Sequence, residues 1–152
     1  MNDLPKSLRL KNALVISALF AKSDSYSSFP LKILWRISDS VVGLRCGFSV
    51  PKKSFKRAVH RNLLKRRMRE SFRQHRHLLE NFLKTKDTGV EAVFLYVGKK
   101  QAEYQVIDDS LCQLLQLVLN KMQKKHNESI EQIMESYKHS GSLDTDDSNK
   151  NL

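Results

Sequence analysis

The sequence predicts an α+β fold: a single-domain sandwich in which one central, mostly antiparallel sheet carries helices on one face. Three observations predict it. Short stretches at 29–38, 41–50 and 90–97 are apolar or alternate in the way strands do. From Ala58 there is no Gly or Pro until Gly89, and Leu64, Met68, Phe72 and Leu79 recur there at helical spacing. With 152 residues, 40% of them apolar, the chain can bury one modest core. The order is helix, strand, strand, long helix, strand, helix. Its second strand, long helix and third strand make a βαβ crossover, a unit that is almost always right-handed.

The elements follow in order. Residues 1–7 are expected to be poorly ordered. Residues 13–21 are mostly apolar and follow Lys6, Arg9 and Lys11, which imitates a secretory signal. The apolar run is at the short end for such a signal and too short to span a bilayer. It reads instead as a short helix over 12–21 that packs on the core, with Asn12 as its cap. The serine-rich residues 22–28 read as a loop. In 29–38 (FPLKILWRIS), Leu31, Ile33 and Trp35 point one way and Lys32, Leu34 and Arg36 the other. Asp39 and Ser40 turn the chain into 41–50 (VVGLRCGFSV), expected to form an antiparallel hairpin with the strand before it.

Pro51 ends that strand, and 52–57 lead into a helix expected to run to about Lys84. Gly89 is placed after it, where a left-handed residue closes a helix. Residues 90–97 (VEAVFLYV) are apolar on both faces, so this strand is expected at the centre of the sheet. A further helix is expected over 104–121, with Asp108 and Asp109 early, where a helix N-terminus favours anions. The domain is drawn at 1–125, with a helical extension at 126–139 on which Ile130, Ile133 and Met134 share a face. Residues 140–152 are poor in apolar side chains and are expected to be a disordered tail.

Charge is confined to one stretch. Residues 51–77 hold eleven of the 27 Lys and Arg and a single acid, Glu70. Their net charge is +10 against +11 for the whole chain, so the remainder is nearly neutral. On the long helix Asn62, Lys65, Arg66, Arg69, Arg73 and Arg76 fall beside the apolar stripe, over about a third of the circumference at roughly 3.6 residues per turn. A solvated helix face mixes signs, and this one does not. A one-signed face is the footprint of a polyanion. Base reading in DNA favours a short recognition helix after a tight turn; a long helix preceded by a strand does not fit, and no DNA partner is expected.

The residues supply no catalytic constellation. There is no Gly-rich phosphate loop. His60, His75 and His77 sit among cations, and none pairs by sequence with an acid and a nucleophile. Glu70 lies three residues before Arg73 and four after Arg66, which suits a helical ion pair. Cys46 and Cys112 lack metal-ligand spacing and read as small buried residues in a reducing cytoplasm. No metal site is expected in the protein.

Two runs carry a resemblance: GFSVPKK at 47–53 and AVHRNLLKRRMRE at 58–70. Together they resemble the signature of the bacterial ribonuclease P protein subunit, whose strand run G-[FL]-S-V-x-K-K leads into a helix run A-V-x-R-N-x-x-K-R-x-x-R. Every fixed position of both is met. Arg9, Leu10, Lys11 and Phe20 also stand where the family's opening helix would place them, and the resemblance covers roughly 8–121. One departure is Leu63, where many members have Arg.

The resemblance implies the rest. The crossover would be left-handed. The protein would be the non-catalytic subunit of a ribonucleoprotein endoribonuclease that removes the 5′ leader of precursor tRNA. Its partners would be the catalytic RNA, which works with Mg²⁺, and precursor tRNA, in the cytoplasm; no membrane is involved, and the protein alone would bind no cofactor. Lys52, Lys53, Arg57, Arg61, Asn62, Lys65, Arg66, Arg69 and Arg73 would meet phosphates of the catalytic RNA. Phe20, Trp35 and Phe48, with Lys11, would form a groove in which leader bases stack. Phe48, beside Cys46 and Val50, suits a core equally well, and Trp35 suits either place. A structural RNA-binding protein, such as one associated with the ribosome, is the alternative that composition alone leaves open.

Overall fold

The computed structural model describes residues 13–38 and 41–150, with side chains from 15 to 139 within them. Lys11, the cap at Asn12, the start of the chain and the turn at Asp39 and Ser40 lie outside the described residues. The chain divides into two compact units, Met1–Leu119 and Asn120–Leu152. The elements are α1 (Ala13–Ala21), β1 (Asp24–Ser28), β2 (Leu31–Ser38), β3 (Gly43–Ser49), α2 (Ala58–His75), α3 (His77–Thr85), β4 (Gly89–Tyr96) and α4 (Tyr104–Lys150).

The sheet is ordered β1-β2-β4-β3. Strand β2 is antiparallel to β1 and to β4, and β3 is parallel to β4. The expected central strand is therefore central. The expected hairpin between the strands now seen as β2 and β3 does not form, because β4 lies between them. The true hairpin is β1–β2, turning at Phe29 and Pro30. Its first strand, DSYSS, was expected to be a loop. It has little apolar content to mark it and is held as an edge by its ladder to β2, with Tyr26 stacked over Trp35 at 6.3 Å.

Gly89 does not close a helix. Asp87 takes the left-handed conformation, with φ 52°, and Gly89 opens β4. A Cβ on Gly89 would stand 2.0 Å from the carbonyl oxygen of Val41, so this position needs glycine for close backbone approach. The long helix is divided at Arg76 into α2 and α3, although Arg76 keeps helical angles.

Alternation along β4 sorts the helices. Phe94 points to the side where it meets Phe48 and Phe72, so α2 packs on that face. Val93 and Leu95 point to the other side, where Leu19, Val15 and Ile16 of α1 pack. Among the described residues helices thus lie on both faces, with α1 on the second, where helices on one face were expected. In α4, Ile107, Leu111, Leu114, Leu115 and Val118 are fully buried. The helix continues through 126–139 and is assigned to Lys150. In the second unit Ile130, Ile133 and Met134 are exposed on it. The tail expected from Ser140 falls where side chains lie outside the described residues.

Candidate nucleic-acid interface

Helix α2 has one buried stripe, Leu64, Met68, Ser71 and Phe72, all at 0% exposure. The stripe fixes which residues look outward. Asn62, Arg66, Arg69 and Arg73 are exposed and Lys65 is half-buried. The connection before the helix adds the exposed Lys52, Lys53, Lys56 and Arg57. Among the described residues, Lys52, Lys53, Lys56, Arg57, Lys65, Arg66 and Arg69 make no ion pair. Cations that find no internal partner keep their full charge for an external one.

Other basic residues of the stretch have internal work. Arg73 binds Glu70 at 2.6 Å, and that hydrogen bond holds the Glu70 carboxyl below its usual range. The helical ion pair expected for Glu70 is thus with Arg73. Arg61 donates to the carbonyl oxygens of Phe55 and Lys56, both at 2.7 Å, and so ties the connection to the helix. Arg67 donates to Ala102 O at 2.5 Å, and Arg76 meets Glu80 at 2.9 Å.

A polar cluster lies between α2 and α4. Ser71 Oγ donates to Asp108 Oδ1 at 2.7 Å, His75 Nε2 is 2.9 Å from the same oxygen, and Tyr104 OH is 3.4 Å from it. The residue types are those of a nucleophilic triad, but the order is wrong: the carboxylate stands between Ser and His, so the imidazole cannot take the hydroxyl proton. This is an anchor for α4. Cys46 is equally inert: burial, with Glu80 adding, pushes its thiol well above the ordinary range.

The second face of the sheet carries α1. Phe20 at its end is 57% exposed. Trp35 and Phe48 are not beside it. Trp35 is 0% exposed on the opposite face, and its indole Nε1 has no hydrogen-bond partner among the described residues. Phe48 stacks on Phe94 at 5.7 Å and meets Phe72 edge-on. Phe48 is half-buried against Phe72 of α2, and Trp35 is buried on the same face of the sheet. Cations that do share the face with α1 include Lys32, Arg36 and Arg45, each half-buried. Arg36, Glu91 and Arg45 stand in one row across β2, β4 and β3, with Arg36 3.4 Å from the buried Glu91. Alternation marked Lys32 and Arg36 as pointing away from Trp35; the position of β4 between β2 and β3, which brings Arg45 alongside, was not readable.

Among the described residues no three His, Cys, Asp or Glu side chains come together in a way that fits a metal ion, and no helix is long and apolar enough to cross a membrane.

The family model for ribonuclease P matches residues 4–123. The chain is 29% identical over 110 residues to the ribonuclease P protein component of Porphyromonas gingivalis W83, covering 71% of this chain and 80% of that one. It is 37% identical over 98 residues to that of Vibrio cholerae O395, covering 64% and 74%. Its fold matches the Staphylococcus aureus RNase P protein with TM-score 0.62 at 23% identity, covering 74% of this chain and 96% of that one. The Thermotoga maritima RNase P protein gives 0.58 at 23%, covering 70% and 94%. A family match over most of the chain, on a fold shared with the solved members, leaves one assignment: the chain belongs to the ribonuclease P protein family and is the non-catalytic protein component of that RNA–protein endoribonuclease.

Proposed function

We propose that the protein binds two nucleic acids on two faces, supporting removal of the 5′ leader from precursor tRNA by a catalytic RNA. The observation that carries this reading is the row of exposed cations without internal partners on α2 and the connection before it. Lys52, Lys53, Arg57, Asn62, Lys65, Arg66 and Arg69 contact phosphates of the catalytic RNA, giving affinity rather than sequence reading. Arg61 and Arg73 lie in the same surface, each already held by a neighbour. The leader runs on the other face of the sheet, where Phe20 offers a ring for a base and Lys32 and Arg45 offer charge for its backbone. Lys11 precedes α1 and is assigned to the same groove.

The RNA-binding domain occupies residues 1–125, and 126–139 extend it. Mg²⁺ serves the RNA; among the described residues no three His, Cys, Asp or Glu side chains are grouped to hold it. The holoenzyme works in the cytoplasm.

The test is reconstitution. RNA-free protein should leave precursor tRNA intact. Added to the catalytic RNA, it should lower the concentration of leader-bearing substrate needed for cleavage more than that of substrate with a one-nucleotide leader. Cleavage at the mature 5′ end by RNA-free protein, or no binding to the catalytic RNA, would overturn the reading.

A further inference from the structure

The connection from β4 to α4 lines an open cavity of about 450 Å³ in the first unit. Its walls are apolar: Phe29, Tyr96, Val97 and Val106, with Lys99 and Lys100 also lining it and no acid among the lining residues. Phe29, Val97 and Val106 are 76%, 46% and 47% exposed, so apolar surface stands open beside two cations.

The walls are held from several sides. Ser110 Oγ of α4 donates to Phe29 O at 2.8 Å, and Val97 N donates to Pro30 O at 2.8 Å. The Tyr96 hydroxyl donates to Lys100 O and accepts from Ala102 N. A Cβ on Gly98 would lie 3.1 Å from both Pro30 Cβ and Tyr96 Cε1, so glycine lets the connection lie close on that ring. These wall groups are already paired, so an occupant would gain from apolar contact, ring stacking and the lysines.

We infer that this cavity receives one unpaired nucleotide of the catalytic RNA, its base against the Phe29 ring and its phosphate at Lys99 and Lys100. A planar apolar body with an anion attached matches what the walls and the lysines lack. Arg67 fixes the choice of RNA. It ties Ala102, in the same connection, to α2, whose outward cations are proposed to meet the catalytic RNA. Tyr96 also points to the α2 side of the sheet, away from α1 and the proposed leader groove, since it alternates in phase with Phe94.

The inference rests on the proposed function, and its test has an arm independent of it. The full-length protein is titrated with adenosine 5′-monophosphate and, separately, inorganic phosphate, following backbone amide resonances. AMP should shift Val97, Lys99 and Ala102 saturably, and phosphate should not. Phe29→Ala removes the ring and Val106→Glu sets a carboxylate at the mouth; both positions are exposed, and Val106→Gln controls for shape. Both variants should abolish the AMP response. Each should also weaken binding to the catalytic RNA by roughly fivefold or more, the scale of one lost stacking contact, and Val106→Gln, which keeps the Phe29 ring and adds no charge, should lose less than Val106→Glu. An equal response to phosphate means bare charge, and no response means no site; either overturns the inference. So does an AMP response with wild-type RNA affinity in both variants, which marks a site for free nucleotides. Failure of the wild type to bind the catalytic RNA overturns the proposed function and leaves the AMP arm to judge the cavity.

Discussion

The Arg61 guanidinium donates from one nitrogen to the carbonyl oxygens of Phe55 and Lys56, both at 2.7 Å. An arginine at the heart of the basic motif therefore stabilises the connection that carries Lys52, Lys53 and Arg57. Arg61→Ala should lower the unfolding free energy by about 1–2 kcal/mol, as expected when partly exposed charge-assisted hydrogen bonds are lost. Arg66→Ala and Arg69→Ala, with no ion pair to lose among the described residues, should stay within about 0.5 kcal/mol of wild type. Denaturant melts of the three variants check this, and equal stabilities would show that Arg61 is held by nothing of consequence.

Glu70 is the one acid among the cations of α2, and Arg73 is its partner at 2.6 Å. Glu70→Gln removes a repulsive charge and releases Arg73 for phosphate. Affinity for the catalytic RNA should rise, and its dependence on salt should steepen by roughly one ion or less. Weaker binding at every salt concentration would mean that the pair orients Arg73 for the RNA.

Asp108 accepts the Ser71 hydroxyl on a buried stretch of α2. Asp108→Ala leaves that hydroxyl without a partner and should cost about 1–3 kcal/mol of stability. Cleavage by the reconstituted holoenzyme, measured below the melting transition and at saturating protein, should be unchanged. A fall in the cleavage rate with intact folding would return the cluster to the chemistry.

A Cβ at Gly89 would stand 2.0 Å from the Val41 carbonyl oxygen. Gly89→Ala must push apart the ends of β3 and β4, where Gly43 and Gly89 are paired. It should cost at least about 2 kcal/mol, in the upper part of the range for single substitutions. Thermal melts decide; a neutral substitution would mean that the segment before β3 yields freely.

What the sequence shows and hides divides along physical lines. The long run of 58–84 is legible because its buried and charged residues follow one helical period. β4 is legible as central because it is apolar on both faces. Pairing is not legible: β2 and β3 are both apolar strands close together in sequence, which describes a hairpin as well as it describes two strands waiting for a third. The same limit is why Trp35 and Phe48 suit groove or core equally well by sequence. An aromatic on an alternating strand announces that it has a side, and the side is set by which helices land there. Trp35 and Phe48 face α2, whereas the half-buried cations Lys32 and Arg45 share the face of α1. Arg61 matched a basic motif whose pattern says nothing of the carbonyls that hold it.

The two aromatic positions give the sharpest separation. Phe20 is 57% exposed on α1, and Trp35 is 0% exposed on the other side of the sheet. Phe20→Ala should leave the unfolding midpoint nearly unchanged and cost on the order of 1–3 kcal/mol in binding substrate with a leader, the scale of one stacked base. Binding of mature tRNA should hold, and the salt dependence should not move, because no charge is removed. Trp35→Ala empties the core beneath Tyr26 and should cost about 3–5 kcal/mol of stability, with any loss of binding following the loss of fold. Lys32→Ala and Arg45→Ala should flatten the salt dependence for the leader-bearing substrate by roughly one ion or less each, leaving assembly with the catalytic RNA alone. Holoenzyme affinity for substrates with and without a leader, at several salt concentrations, reads all four variants. If Phe20→Ala weakens both substrates equally with folding intact, the exposed ring serves the catalytic RNA, and the leader must run elsewhere.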